Sequence, residues 1–212
     1  MGELKGKTAI VTGAARGIGK AIAEYFVRSG AFVYVADIHE AEAAETAARL
    51  NAEGMSAAAQ ALDVMSIDSV NALVRRAVRE RGGIDILVNN AGVFSNTPIS
   101  DLSIDEWDRV LGINLRGTHI CSQAVIKEMI PRRFGKIVNL SSMSSQTGGL
   151  KAGADYTASK GGVSALTKAY ARYGAQFNIN VNAVAPGFIL TAMTEAWASK
   201  DDAGKDIPLG RV

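Results

Sequence analysis

An alternation constrains this fold most. Six short apolar runs are separated by longer segments, most with helical periodicity. The runs are TAIVT (8–12), FVYVAD (32–37), AAQALDV (58–64), IDILVNNAG (84–92, running into a loop), GKIVNLSS (135–142) and NINVNAVAPG (178–187). Between them the pattern predicts helices over 17–29, 40–53, 67–80, 103–129 and 154–176. Ile18, Ala21, Ile22, Tyr25 and Phe26 share one face of the first helix; Val70, Leu73, Val74 and Ala77 share one face of the third. Ser103, with Glu106 three residues on, reads as a capping box. Strand-then-helix steps imply parallel strands covered on both faces. Right-handed crossovers then give an α/β fold: a doubly wound, mostly parallel Rossmann-like sheet with helices on both faces, expected as a single domain over 1–212.

Composition narrows the function. With 212 residues, 48% hydrophobic, the chain can bury one sizeable core. Its 23 basic and 21 acidic residues leave a net charge of +2 and no dense basic cluster, so no nucleic-acid partner is expected. The single cysteine, Cys121, rules out an intrachain disulfide and suits a cytoplasmic location. Without a Cys/His cluster no metal site is expected. No apolar run reaches the ~18 residues that span a bilayer, so no membrane partner is expected either.

In sheets of this kind ligands bind at the carboxyl ends of the strands. The first strand runs into Thr12-Gly13-Ala14-Ala15-Arg16-Gly17-Ile18-Gly19. Glycines there permit a tight turn and close backbone approach, and the following helix aims free N–H groups at a pyrophosphate. Asp37 ends the second strand, 18 residues after Gly19, where a carboxylate can bind an adenosine ribose and repel a 2′-phosphate. That favours NAD, although Arg16 could receive a phosphate. Asp63-Val64 and Asn89-Asn90-Ala91-Gly92 end the third and fourth strands, where an adenine and ribose would lie. His39 is expected to be exposed, and His119 to be a core or interface residue.

Tyr156 and Lys160 stand one helical turn apart in DYTASK. Lowering a phenol's pKa by ~3 units takes about 4 kcal/mol. An ammonium ~4 Å away, at an effective dielectric of ~20, supplies about that much. One lysine can thus tune one tyrosine for proton transfer with an alcohol or alkoxide. Ser141-Ser142 ends the preceding strand, and a serine hydroxyl there can donate to a substrate carbonyl oxygen.

In order, T-G-x-x-x-G-I-G at 12–19, Asp63, N-N-A-G at 89–92, Asn114 in GINLRG, Ser142, Y-x-x-x-K at 156–160 and VNAVAPGFI at 181–189 resemble the short-chain dehydrogenase/reductase family, in its compact single-domain branch. The resemblance implies hydride transfer between a nicotinamide and an alcohol or carbonyl carbon. Tyr156 would be the acid/base. Lys160 would bind the nicotinamide ribose and lower the tyrosine's pKa, Ser142 would orient the substrate oxygen, and Asn114 would hold a water in a proton relay. Pro186, Gly187 and Ile189 would meet the nicotinamide amide, with Thr191 nearby and the segment that follows it acting as a substrate lid. Phe94, Met143, Gly149, Leu150, Met193 and Trp197 would line the pocket.

The resemblance also implies a homodimer or homotetramer built through the fourth and Tyr-bearing helices, where Gly161, Gly162, Ala165 and Ala169 allow close packing. Two departures stand out. Thirteen residues separate Ser142 from Tyr156, one more than is common in the family, which leaves Ser141 and Ser144 as lesser candidates. Relatives also continue through another helix and a seventh strand, so a further C-terminal portion is expected. A 3-oxoacyl-carrier-protein reductase, a type that more often uses NADPH, is the alternative within the family. A non-catalytic NAD-binding sensor is the alternative outside it.

Overall fold

The computed structural model describes residues 2–149 and 151–191. Its strands are β1 (Thr8–Thr12), β2 (Phe32–Asp37), β3 (Ala57–Ala61), β4 (Ile86–Asn89), β5 (Gly135–Leu140) and β6 (Ile179–Val184). All neighbouring pairs are parallel, in the order β3-β2-β1-β4-β5-β6. The chain therefore builds outward from β1 to β3 and returns to β4 on the other side. The point where the order reverses lies between the carboxyl ends of β1 and β4, the place where such sheets hold ligands.

The helices are α1 (Gly17–Arg28), α2 (Glu40–Ala52), α3 (Ile67–Arg81), α4 (Ile104–Leu111), α5 (Gly117–Arg132), α6 (Ser144–Thr147) and α7 (Ala154–Ala175). Alternating side chains of β1 divide between two apolar layers. Ile10 joins Tyr34, Leu87, Leu73 of α3 and Val125 of α5, with Tyr170 of α7 packed beside them. Ala9 and Val11 join Val33, Val88, Ala23 of α1 and Leu50 of α2. At the sheet's end β6 buries Ile179 and Val181 and exposes Asn180 and Asn182.

Three elements differ from expectation. In α1 the fully buried residues are Gly19, Ala23 and Val27, whereas Tyr25 is 66% exposed and Ala21 is also exposed. Ile18, Ile22 and Phe26 pack at the margin. Bulk suggested the wrong centre for that face: the closest approach to the sheet selects the small residues.

The helix expected over 103–129 runs unbroken from 104 to 132 but is not α-helical throughout. Between α4 and α5 it widens into one π turn, Gly112–Arg116, a feature that marks functional sites more often than chance. Flanking glycines allow it. A Cβ on Gly112 would stand 2.9 Å from Met65, and one on Gly117 would stand 2.7 Å from Val64. The turn therefore packs directly on the loop after β3. The capping box is half formed: Ser103 accepts from the Glu106 N–H at 3.2 Å, but the Glu106 carboxylate turns to Arg109.

The small-residue stripe of α7 has mixed causes. Gly162 is required within the chain, because a Cβ there would lie 2.6 Å from Leu115. Gly161 meets nothing within 4 Å, and Ala165 and Ala169 are exposed. His119 is exposed, with its ring nitrogen 2.9 Å from the Tyr170 hydroxyl. The inward face of α3 is as expected, with Val70, Leu73, Val74 and Ala77 all buried. Denaturant unfolding should separate the two helices: Leu73→Ala is expected to cost about 2–5 kcal/mol, and Tyr25→Ala to stay within about 0.5 kcal/mol of the parent.

Candidate active site

The turn after β1 is held against the turn after β4. The Asn90 amide donates to the Thr12 and Gly13 carbonyls at 3.0 and 2.8 Å, and Thr12 Oγ1 accepts the Asn90 and Ala91 N–H groups at 3.1 and 3.0 Å. Gly13 has a φ of 63°, and a Cβ on it would stand 2.8 Å from the Ala91 backbone. A Cβ on Gly19 would reach 2.2 Å from the Gly13 carbonyl oxygen. The chain can close this turn only without side chains there. No side chain caps the N-terminus of α1, and no acid lies in its first turn. Its free N–H groups, with Gly17 and Ile18 on the wall of the cleft, are fit to receive an anion.

The cleft has a volume of about 660 Å³. Gly13, Arg16, Asp37, Asp63 and Val64 line one end, and Asn90, Ala91, Gly92, Pro186, Gly187, Ile189 and Thr191 line its middle and rim. Gly19 sits behind the turn and gives it room. Asp37 is 8% exposed; its two carboxylate oxygens accept from Ala15 N–H and His39 N–H, each at 3.0 Å. Each oxygen keeps acceptor capacity, so a ribose diol fits a carboxylate already fixed by backbone. Asp63 is tied locally, accepting from Met65 N–H at 2.8 Å. These residues suit a dinucleotide: a side-chain-free turn, uncapped N–H groups and a fixed carboxylate beside them.

At the other end the structure brings Ser142 and Tyr156 together. Ser142 Oγ accepts from Ser144 N–H at 3.2 Å and from the Ser144 hydroxyl at 2.9 Å. Both bonds end on the serine oxygen, which leaves its own proton to donate elsewhere, and Ser142 eases ionisation of the Tyr156 phenol. The extra residue between the two is absorbed by α6 and by Gly148 and Gly149, both with positive φ. Ser141 turns away to the Lys160 carbonyl at 2.9 Å and Ser164 at 2.7 Å. Ser144 supports Ser142 rather than replacing it.

Lys160 Nζ donates to the Leu140 carbonyl at 2.6 Å and lies 5.8 Å from the centre of the Tyr156 ring. Burial pulls its pKa down from 10.5 to about 8. Burial pushes the Tyr156 phenol up, with only the Ser142 hydrogen bond opposing it. Both groups thus feel the desolvation of the site.

Asn114 is wholly buried in the π turn. Its Oδ1 accepts from Val93 N–H at 2.8 Å, and its Nδ2 donates to the Val93 carbonyl and to Ser159 Oγ, each at 3.0 Å. Its own carbonyl accepts from Thr118 Oγ1 at 2.7 Å. The side chain is thus a clamp between the loop after β4 and α7. Gly92 lies between it and the lysine: a Cβ there would be 3.1 Å from Asn114 Oδ1 and 3.6 Å from Lys160 Nζ.

Several residues of the site were not singled out, or not for this role. Thr12 locks the two turns. Phe94, expected only as pocket lining, sets its ring edge-to-face on Tyr156, with centroids 5.0 Å apart. Asp155 is wholly buried. Its Oδ1 accepts from Tyr156 N–H at 2.8 Å, and its Oδ2 has no partner among the described residues. Its neighbours in DYTASK gave the only signal. Arg109, on α4, also lines the cleft. Met143 and Gly149 line it as expected, whereas Leu150, Met193, Trp197 and the lid after Thr191 lie outside the described residues. Among the described residues no cluster of His, Cys, Asp or Glu could hold a metal, and no helix is long and apolar enough to cross a membrane.

Fold and site together define a dinucleotide-dependent α/β oxidoreductase. A family model described as short chain dehydrogenase matches residues 7–202. The chain belongs to the short-chain dehydrogenase/reductase family, whose members use a nicotinamide cofactor. It is 41% identical to a 3-oxoacyl-[acyl-carrier-protein] reductase, FabG, of Thermotoga maritima, over 99% of this chain and 85% of that protein. It is 43% identical to a sorbitol dehydrogenase of Cereibacter sphaeroides, over 88% of this chain and 72% of that protein. The crystal structure of gox2181 superposes with a TM-score of 0.93 at 34% identity, covering 99% of this chain and 84% of that one.

Two outcomes follow. Gly19→Ala should weaken NADH binding about tenfold or more, a loss of ~1.4 kcal/mol or greater, as read by NADH fluorescence. Lys160 binds its proton less tightly folded than unfolded. The unfolded chain therefore holds the extra proton between about pH 8 and 10.5, and Lys160 makes stability rise with pH across that window. Urea unfolding should show this rise in the parent and its loss in Lys160→Met.

Proposed function

We propose that this chain is an NAD-dependent oxidoreductase that moves a hydride between the nicotinamide and an alcohol or carbonyl carbon, with Tyr156 as acid/base. The observation that carries this reading is the placement of Ser142 and Tyr156 together on the wall of the cleft, with Ser142 easing ionisation of the phenol and the Lys160 ammonium buried behind them. A bound nicotinamide supplies or accepts the hydride and, when oxidised, adds a positive charge beside the phenol.

The chain's own groups handle the proton. Burial keeps Tyr156 protonated at neutral pH, ready to donate to the oxygen of a carbonyl under reduction. The Ser142 hydroxyl donates to the same oxygen and holds it in place. As the phenolate forms, the buried Lys160 ammonium steadies its charge, while the single Ser142 proton stays on the substrate oxygen. One of the three ammonium donors is spent on Leu140, leaving two for the cofactor's ribose. Asn114 acts as a positioning residue: it fixes Val93, beside the cleft, to Ser159, one residue before Lys160.

The preference for NAD rests on Asp37, whose fixed carboxylate faces the place of the adenosine ribose and would repel a 2′-phosphate. The second reading is a 3-oxoacyl-carrier-protein reductase using NADPH. Its support is the Thermotoga maritima relative, with Arg16 on the cleft wall as a phosphate contact. A non-catalytic NAD sensor is a third reading, and it has no use for the serine–tyrosine pair. The enzyme is placed in the cytoplasm as a single-domain homodimer or homotetramer formed through α5 and α7, which light scattering on the purified chain can check.

Tyr156→Phe is expected to lower kcat about 10²–10⁴-fold in a carbonyl panel with NADH while leaving NADH affinity unchanged. Unchanged turnover would remove Tyr156 from the mechanism. Asp37→Asn should raise the ratio of NADP to NAD kcat/KM about tenfold or more, since a charge repulsion of ~1.4 kcal/mol already gives that factor.

A further inference from the structure

The carboxylates lining the cleft are confined to one end. Asp37 and Asp63 lie, together with Arg16, at the end assigned to the adenosine. At the end near Tyr156 the charged side chains on the wall, among the described residues, are Arg109, Lys151 and the buried Lys160. Lys151 comes from the loop between α6 and α7. Arg109 comes from α4 and lies close enough to Asp155, the residue before Tyr156, to feel its charge. Asp155 itself is wholly buried and does not line the cleft.

Arg109 is also pre-oriented. Its Nε and Nη2 donate to the two oxygens of Glu106, three residues earlier on α4, each at 2.8 Å. That pairing holds the guanidinium plane and leaves the Nη1 N–H groups without a partner among the described residues. A guanidinium clamped along one edge loses little freedom when its other edge binds, and planar oxyacid groups match its donor fork. Its side chain is 46% exposed, so it is reachable from solvent.

We propose that the substrate carries an anionic oxyacid group, a carboxylate or a phosphate, remote from the reacting carbon, and that Arg109 receives it through Nη1. This rests on the oxidoreductase reading and narrows its substrate to charged hydroxy or oxo compounds. Arg109 is thus a specificity residue, with no part in the proton transfer. Phe94 and Met143 would take the uncharged carbons between the anion and the Ser142–Tyr156 pair.

Matched pairs test the proposal: hydroxy acids with the hydroxyl at carbon 2, 3, 4 or 5 against their primary amides, and dihydroxyacetone phosphate against dihydroxyacetone. Ligand-observed NMR titration of the full chain with NADH reads binding, and kcat/KM reads turnover. The charged member of at least one pair should bind and turn over about tenfold better, the scale of one charge-assisted hydrogen bond. The advantage should shrink as salt rises from ~0.01 to ~0.5 M. Arg109→Gln should bring the charged-to-neutral ratio to about one, and Arg109→Lys should leave it between. Because the readout is a ratio within one variant, a general loss of folded protein cancels. A ratio near one in the parent for every pair, or one that survives Arg109→Gln, overturns the proposal. Binding without turnover of any pair would instead sink the acid/base reading of Tyr156, while the binding ratio still decides the role of Arg109.

Discussion

The buried amide of Asn114 joins three segments that no sheet ladder connects. It fixes Val93 after β4 on both backbone groups, reaches Ser159 on α7, and sits in the π turn between α4 and α5. A buried amide must be satisfied, because an unmet donor or acceptor costs ~1–3 kcal/mol. Satisfying this one sets the distance between the Gly92–Val93 wall of the cleft and the turn of α7 that carries Tyr156 and Lys160. Ser159 closes the loop by donating to the Tyr156 carbonyl at 2.7 Å. The π turn is the geometric means: its extra residue presses Asn114 inward, and glycines on both sides let the bulge sit on Val64 and Met65.

Around that clamp the site carries costs that the rest of the fold must offset. Lys160 is buried with one carbonyl as its hydrogen-bond partner, and its proton is held more loosely as a result. Asp155 is buried with one oxygen unpartnered. The stabilisation comes from the two apolar layers and from buried polar ties such as Asn89 to Ser122 and Asn139, at 2.9 and 2.8 Å. Proteins tolerate such local strain at functional sites and compensate elsewhere.

Much of this was legible in the sequence because it is local. The parallel, doubly wound sheet followed from the spacing of apolar runs and the handedness of crossovers. Gly13 and Gly19 announced a turn too tight for side chains, and Tyr156 and Lys160 announced a shared helix face. What escaped depends on contacts distant in sequence. Tyr25 and Val27 differ little in apolarity, and only the approach of α1 to the sheet shows which is buried. Gly112 and Gly117 hinted at close packing but not at a π turn. The rise of the Tyr156 pKa comes from desolvation, which no spacing reveals. The longer path from Ser142 to Tyr156 is harmless because Gly148 and Gly149 fold it into a short helix and turn. Arg109 was invisible until α4 placed it on the wall of the cleft.

The central claim is that this cleft transfers a hydride directly between a nicotinamide and a substrate carbon. Single turnover with NADH deuterated at C4 on either face, followed by NMR of the product alcohol, tests it most directly. The account predicts that one of the two deuterated forms delivers its label to the carbinol carbon and the other leaves it on the nicotinamide. NADH that binds the parent chain yet transfers deuterium from neither face, across charged and neutral carbonyls alike, would contradict it.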